Sequence, residues 1–210
     1  NNDILLAGAD PQGNGDENTG VYRSTDKGSS WAFTTLMNRT INFISEIDDQ
    51  IFFAGTNDGI YRSTDYGLDW QFLGLANTNV NSILHLENDT LIAATSNGIY
   101  LSSDGGLSWS ILGMLGNNIL SSGVTSTEHI FTGTDGQGIY RTSDKGITWD
   151  FIGLPNLSVR SIIIDTSDNI LTATNGGVYS SSNLGDSWSY RGLNNENVQT
   201  LFLHPIGLLF

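Results

Sequence analysis

Apolar and polar residues alternate in short runs that predict strands and turns along the whole chain. In one stretch, the apolar run Ile51–Ala54 is followed by turn residues 56–59, and Ile60–Ser63 then alternates apolar and polar side chains. After a second turn, Trp70–Leu73 and Val80–Leu84 are the next apolar runs. No segment shows an apolar period of 3.6 residues long enough for a helix, so the pattern predicts an antiparallel meander.

The same stretch recurs five times at a nearly constant period. Its most regular part is a twelve-residue phrase of the form Gly-Ile-Tyr-Arg-Ser-Thr-Asp-x-Gly-x-x-Trp, whose closing tryptophans are spaced by 39, 39, 40 and 39 residues. A fixed period of this size indicates one supersecondary unit copied along the chain. Four strands per unit predict an all-β fold, a β-propeller of four-stranded antiparallel blades with strands A to D counted from the axis outward. We expect residues 1–210 to form a single propeller domain.

The phrase contains the pattern Ser/Thr-x-Asp-x-Gly-x-x-Trp, which resembles the Asp-box, or BNR repeat. The acidic position and the tryptophan of the five copies are Asp26 and Trp31, Asp65 and Trp70, Asp104 and Trp109, Asp144 and Trp149, and Asn183 and Trp188. A short carboxylate or amide accepts backbone N–H groups within its own turn, and tryptophan fills space between sheets. A residue needed once per blade is a folding device, so we expect these ten residues to be structural.

The resemblance implies membership of the superfamily that includes sialidases, xyloglucanases and photosystem II assembly factors. We expect this chain to be secreted or to lie at the cell surface, with the periplasm as an alternative. The chain begins at Asn1 with no apolar leader, so we expect a mature product or a piece of a longer protein.

Composition narrows the classes of partner. The chain has 22 acidic and eight basic residues, a net charge of −14, which disfavours nucleic acid and anionic membranes as partners. The absence of cysteine excludes disulfides and thiolate metal sites. No apolar run reaches transmembrane length, so membrane insertion is not expected. Twenty-five glycines suit a turn-rich all-β chain.

The two ends of the chain leave the number of blades open. Asp3–Gly8 aligns with the B strand Gln50–Gly55, and Val198–Leu203 has the pattern of an A strand. One arrangement is a closed five-bladed ring in which Val198–Leu203 pairs beside Ile4–Ala7, hiding the sheet edges. The other is part of a larger propeller, which is favoured by the B-like tail Pro205–Phe210.

In a meander, the B–C turns and the D–A connections share one face, here named the polar face. Its longest loop contains Asp10, Asp16 and Glu17, which could hold Ca²⁺ or form a solvated acidic loop. Position eleven after each tryptophan lies at the start of strand A. With Arg39, this position gives the candidate ligand-binding residues Asn42, Asn81, Arg160 and Gln199, with Leu120 in the third repeat. Amide and guanidinium groups suit a glycan or a peptide, although asparagine also favours turns.

A complete set of catalytic residues is missing. Sialidases need an arginine cluster, and here only Arg39 and Arg160 are expected near the axis. A xyloglucanase-like hydrolase needs two facing carboxylates roughly 5–10 Å apart, and the best pair, Asp58 and Asp135, lies two blades apart. An assembly factor like that of photosystem II would need a basic patch. The sequence therefore predicts a non-enzymatic secreted or surface module that binds glycan or protein through the polar face. The alternative is a glycoside hydrolase or part of one; no cofactor is expected apart from Ca²⁺.

Overall fold

The computed structural model describes residues 4–9, 19–48 and 50–203, and these residues contain strands and turns but no helix. None of them, therefore, forms a helix long and apolar enough to cross a membrane. The strands are β1 Leu5–Ala9, β2 Gly20–Ser24, β3 Ala32–Met37, β4 Ile41–Asp48, β5 Ile51–Thr56, β6 Gly59–Ser63, β7 Gln71–Gly74, β8 Val80–His85, β9 Leu91–Thr95, β10 Gly98–Ser102, β11 Ser110–Gly113, β12 Ile119–Val124, β13 Ile130–Thr134, β14 Ile139–Thr142, β15 Asp150–Gly153, β16 Val159–Ile164, β17 Ile170–Thr174, β18 Gly177–Ser181 and β19 Ser189–Gly192.

Consecutive strands pair into five sheets, numbered 1 to 5 along the chain. Sheet 1 contains β1–β3, and sheets 2 to 5 contain β4–β7, β8–β11, β12–β15 and β16–β19, each in simple meander order. The pairings are antiparallel, as in β5 with β6 and β17 with β18. The predicted all-β fold of antiparallel four-stranded sheets is confirmed, and sheet 1 has strands B to D within the described residues.

One predicted strand is wrong. Val198–Leu203 is not a strand, and only Leu203 forms an isolated bridge. The Val198 N–H donates to Thr174 O at 3.0 Å, and the Leu201 N–H to Ser161 Oγ at 3.4 Å. A strand needs a ladder of backbone partners, and within the described residues no sheet includes this segment. Its pairing beside Ile4–Ala7, and the closure of the blades into a ring, stay predictions.

The chain divides into two compact units, Asn1–Ala93 with Leu101–Ser110, and Ala94–Tyr100 with Ile111–Phe210. In the first unit, the buried residues Val21, Leu36 and Ala54 form a cluster. In the second, the core cluster is built from Phe131, Ile139, Leu154, Val159 and Ile170. Branched aliphatic side chains fill these cores because they pack well on pleated strands.

The repeated turn between strands C and D is closed by its own side chains. In sheet 3, Ser102 Oγ donates to Asp104 Oδ1 at 2.7 Å and accepts the Gly106 N–H at 2.8 Å. The Asp104 carboxylate accepts the Ser108 N–H at 2.9 Å and the Ser108 hydroxyl at 2.6 Å. Gly106 has φ +94°, a conformation that side chains other than glycine rarely adopt. The turn therefore needs its Ser, Asp and Gly for local reasons.

These hydrogen bonds favour the ionised carboxylate. The hydroxyl of Ser108, then its backbone N–H, then Ser102 lower the pKa of Asp104 to about 2. In the fifth copy, the amide Asn183 Oδ1 accepts the Ser187 N–H at 3.0 Å, so the turn forms without a charge. The pKa is likewise lowered to about 2, by the equivalent serine or threonine, at Asp26 and Asp144.

Each repeat tryptophan of sheets 3 to 5 packs on a glycine at the end of the preceding D strand. A Cβ added at Gly74 would lie 2.9 Å from Trp109, and one added at Gly153 would lie 2.9 Å from Trp188. A Cβ added at Gly113 would lie 2.6 Å from the ring of Trp149. In two of these three contacts the indole N–H also donates to the carbonyl before the glycine, at 3.2 Å for Trp109 to Leu73 O and 2.9 Å for Trp188 to Ile152 O. The buried indole nitrogen of Trp149 has no hydrogen-bond partner among the described residues. This Trp-on-Gly contact joins neighbouring sheets within each unit.

Candidate binding surface

The B–C turns and the D–A connections meet, as expected for the polar face. In sheet 2, the Thr40 N–H donates to Asn57 Oδ1 at 3.2 Å, and the Asn57 N–H donates back to Thr40 O at 3.2 Å. In sheet 5, Ser158 and Asn175 make the same reciprocal pair at 3.0 and 3.2 Å. An Asn side chain on one loop therefore fixes the loop beside it.

Three of the residues at position eleven after the tryptophans lie on β-bulges. The A–B register shifts between Ile41 and Phe43, between Ile119 and Ser121, and between Val159 and Ser161. The extra residues are Asn42, Leu120 and Arg160, here named the bulge row. A bulge takes a residue out of the ladder and re-aims its side chain, and bulges are common beside binding sites.

The polar members of the bulge row are held by residues from the next repeat along the chain. Asn42 Nδ2 donates to Asn79 Oδ1 at 2.6 Å and to Val80 O at 2.9 Å, which uses both of its donor hydrogens. Arg160 Nε donates to Asn197 Oδ1 at 3.0 Å. Among the described residues, the terminal nitrogens of Arg160 have no hydrogen-bond or ionic partner. Asn42 thus presents an acceptor oxygen, and Arg160 presents a fixed guanidinium fork.

The other two candidates at this position are Asn81 and Gln199. Asn81 is half-buried in β8. Gln199 is exposed and lies beyond the last strand.

The structure brings Arg39 and Asp58 together, although the sequence assigned them to different roles. Arg39 Nη2 lies 3.4 Å from Asp58 Oδ2, and Arg39 Nε donates to Tyr61 Oη at 3.2 Å. Asp58 Oδ1 accepts the Asn77 N–H at 3.0 Å. The hydrogen bond to Tyr61, with a smaller contribution from Asp58, raises the pKa of Arg39 above its ordinary value. Both groups are therefore engaged within the protein.

The place of Asp58 is filled by an amide in the next repeat. Asn97 Oδ1 accepts the Gly116 N–H at 3.1 Å, across the same separation of 19 residues as Asp58 and Asn77. An acceptor oxygen is common to both turns, and a negative charge is not. This spacing is the signal in the sequence that could have identified Asp58 as a turn residue.

Asp135 is also held by two loops. Its Oδ1 accepts the Ser158 hydroxyl at 2.7 Å, and its Oδ2 accepts Asn118 Nδ2 at 3.3 Å. Asn57 and Asn175 stand at the equivalent B–C position and act as acceptors there. Both carboxylates proposed for catalysis thus accept hydrogen bonds from neighbouring loops.

The described residues hold no group of three or more acidic or histidine side chains suited to a metal ion. The Ca²⁺ candidates Asp10, Asp16 and Glu17 lie outside the described residues. His129 Nδ1 is 3.0 Å from Thr127 Oγ1, and His85 is exposed.

Comparison with known proteins shows the fold. No family model matches the chain, and no curated protein matches it. Among solved structures, an ancestral GH74 enzyme aligns with 98% of this chain and 32% of its own, at 18% identity and a TM-score of 0.76. The extracellular domain of BT4673 from B. thetaiotaomicron aligns over 85% of this chain and 26% of its own, at 21% identity and a TM-score of 0.70. YCF48 bound to D1 peptide aligns over 82% of this chain and 61% of its own, at 18% identity and a TM-score of 0.61.

These neighbours establish the class of fold, an all-β propeller built from antiparallel blades. At identities of 16–21% the likeness extends to the fold alone. The chain spans about a third of the GH74 enzyme, about a quarter of the BT4673 chain and about three-fifths of YCF48.

Proposed function

We propose that this chain is a non-catalytic, Asp-box-type propeller module, secreted or exposed at the cell surface, that binds a glycan or a protein through the polar face. The observation that carries the proposal is that Asp58 and Asp135 accept hydrogen bonds from neighbouring loops, at turn positions where other repeats have asparagine. A general acid or base has to reach a proton of the substrate, and the oxygens of these two carboxylates accept hydrogen bonds from neighbouring loops.

Binding is supported by the bulge row. Arg160 is held by Asn197 through Nε alone, so its planar fork can form two parallel hydrogen bonds to a ligand. Asn42 is fixed by two hydrogen bonds and keeps its acceptor oxygen for a hydroxyl or an amide. Fixing the side chains in advance lowers the entropic cost of binding.

The proposal is tested by screening the chain against immobilised glycans and peptides, followed by calorimetry on any ligand found. We expect Arg160→Ala to weaken binding by roughly tenfold or more, since hydrogen bonds to charged groups contribute about 1.5–3 kcal/mol. Ile147→Ala is the matched control, because Ile147 is 84% exposed on a C–D turn, outside the polar face. Equal affinity of the two variants would show that the ligand binds elsewhere.

The alternative is a glycoside hydrolase or part of one, and the alignment with a GH74 enzyme favours it. Hydrolysis of xyloglucan or of a sialoside by the chain, abolished in Asp58→Asn or Asp135→Asn while the variant stays folded, would establish it. Binding without any hydrolysis would support the non-catalytic proposal.

A further inference from the structure

One arginine of the repeat has no partner. Arg62, on the C strand of sheet 2, has no hydrogen-bond or ionic partner among the described residues, and its Nε is buried. The equivalent arginines of sheets 1 and 4 bind the C–D turn of the next sheet. Arg23 Nε donates to Tyr66 O at 2.9 Å, and Arg141 Nη1 donates to Leu184 O at 2.7 Å. A buried N–H without a partner keeps its full desolvation cost, so Arg62 is not placed there for stability.

A carboxylate completes the contact in sheet 4 and is missing beside Arg62. Arg141 Nη1 lies 3.0 Å from Asp186 Oδ1, and Asp186 directly follows the glycine of the next turn. The corresponding residue of the turn that follows sheet 2 is Leu107, whose side chain is 76% exposed. The single carboxylate of that turn, Asp104, is engaged by serines of the turn itself. An apolar residue therefore stands where Arg141 finds an acid.

This turn lies on the strand next to Arg62. Arg62 pairs with Gln71 of β7 in the ladder between β6 and β7. A Cβ added at Gly106 of the turn would lie 2.8 Å from Leu73 of the same strand. Arg62 and the turn both belong to the first unit. The terminal nitrogens of Arg62 are not buried, in contrast to its Nε. The guanidinium thus reaches the surface beside the turn with its donors unused.

We propose that Arg62 and Leu107 form a recognition site for an extended peptide segment of a protein partner, with a carboxylate beside an aliphatic side chain. The carboxylate binds the Arg62 guanidinium as Asp186 binds Arg141, and the aliphatic side chain packs on Leu107. A planar guanidinium matches a carboxylate through two parallel hydrogen bonds.

The charge and the apolar residue select this occupant. The net charge of −14 repels a doubly charged phosphate more strongly than a singly charged carboxylate. An acidic sugar would supply the carboxylate but would leave the exposed aliphatic side chain of Leu107 without an apolar partner. The site lies at the C–D turn, at the end of the sheet opposite the polar face, so it is separate from the ligand proposed there.

The first test supplies the carboxylate within the chain. Leu107→Asp reproduces the acid of the sheet 5 turn beside Arg62. The control is Ile147→Asp, which adds the same charge at the same turn position, where the preceding sheet has Leu101 in place of the arginine. Relative to this control, we expect a roughly twofold to fivefold larger folding equilibrium constant for Leu107→Asp in urea denaturation. Adding Arg62→Gln should remove the difference, and equal stabilities of the two aspartate variants would overturn the proposal.

The second test identifies the partner segment. A random peptide library displayed on phage is selected on the wild type after depletion on Arg62→Gln. We expect peptides with Asp or Glu beside Leu, Ile or Val, and calorimetry on the synthetic peptides should show roughly tenfold or greater weakening in Arg62→Gln. Arg23→Gln is the matched control, because it removes the same charge from an arginine that already has a partner, and its affinity should match the wild type. Circular dichroism verifies that each variant is folded.

Three outcomes would contradict the site. A selection that yields no peptide dependent on Arg62 would overturn it, and so would equal losses of affinity in Arg62→Gln and Arg23→Gln, which would indicate a general effect of charge. Tighter Arg62-dependent binding of oligogalacturonate than of the selected peptides would overturn the peptide as occupant. Replacing the acid of a selected peptide by its amide should abolish the difference between the wild type and Arg62→Gln.

Discussion

Replacing Trp109 by alanine is expected to destabilise the first unit far more than replacing Trp31 by alanine. Both residues end the same repeat phrase, lie in the same unit and bond to the glycine carbonyl of their own turn at 3.1 Å. Only Trp109 packs on a preceding sheet, at Gly74, and donates to Leu73 O. The pair therefore isolates the contact between neighbouring sheets.

The magnitude follows from the contact. Replacing a fully buried tryptophan by alanine costs about 3–5 kcal/mol, so half-buried Trp109 contributes about 2 kcal/mol. The hydrogen bond to Leu73 O adds about 1 kcal/mol, for a total of about 3 kcal/mol. Trp31, which is 43% exposed, is expected to contribute about 1 kcal/mol.

Urea denaturation followed by far-ultraviolet circular dichroism measures both free energies of unfolding. The expected difference of about 2 kcal/mol corresponds to about a 30-fold change in the unfolding equilibrium. Equal losses for the two variants would refute the view that the Trp-on-Gly contact stabilises neighbouring sheets. A larger loss for Trp31→Ala would refute it more strongly.

Variants at three further positions test a loop contact, the repeated turn and the Trp-on-Gly contact. Asp135→Asn is expected to change the free energy of unfolding by less than about 0.5 kcal/mol, whereas Asp135→Ala costs about 1–2 kcal/mol in urea denaturation because both accepted hydrogen bonds are lost. The turn carboxylates have a pKa of about 2 in the folded chain against an ordinary 3.8, so unfolding takes up protons. The ionised turn carboxylates therefore stabilise the folded chain fully above pH about 4, and this stabilisation is lost as the pH falls through about 2. Thermal unfolding measured as a function of pH should show a smaller loss of stability in acid for Asp104→Asn than for the wild type. Gly153→Ala places a Cβ 2.9 Å from Trp188 at φ +135°, and a cost of about 3 kcal/mol in thermal unfolding is expected.

Most of the fold could be predicted from the sequence because the strands recur at the same positions of each repeat. The predicted strands Ile51–Ala54 and Val80–Leu84 correspond to β5 and β8 within two residues at each end. Val198–Leu203 has the same apolar pattern and is not a strand. The apolar pattern indicates which face of a strand is buried, but a strand forms only where a neighbouring segment supplies backbone hydrogen-bond partners.

The candidate surface was less accessible to sequence reasoning. The position of Asn42 and Arg160 could be found by counting from the tryptophans, whereas the bulge beneath them depends on cross-strand register. The pairing of Arg39 with Asp58 depends on two loops that are 19 residues apart in the chain. Contacts of this kind require the folded backbone, because no local preference specifies which loops meet.

At the bulge row, the residues that hold the strands together are different from the residue that is available to contact a ligand. Residues inside a ladder must satisfy their cross-strand neighbours, but the extra residue of a bulge is released from that requirement. The three sheets accordingly carry an amide, an aliphatic side chain and a guanidinium at one backbone position, without a change in the surrounding strands. A combinatorial library that randomises residues 42, 120 and 160 would vary the binding chemistry while the cores stay untouched, so the repeat is suited to directed selection of new binders.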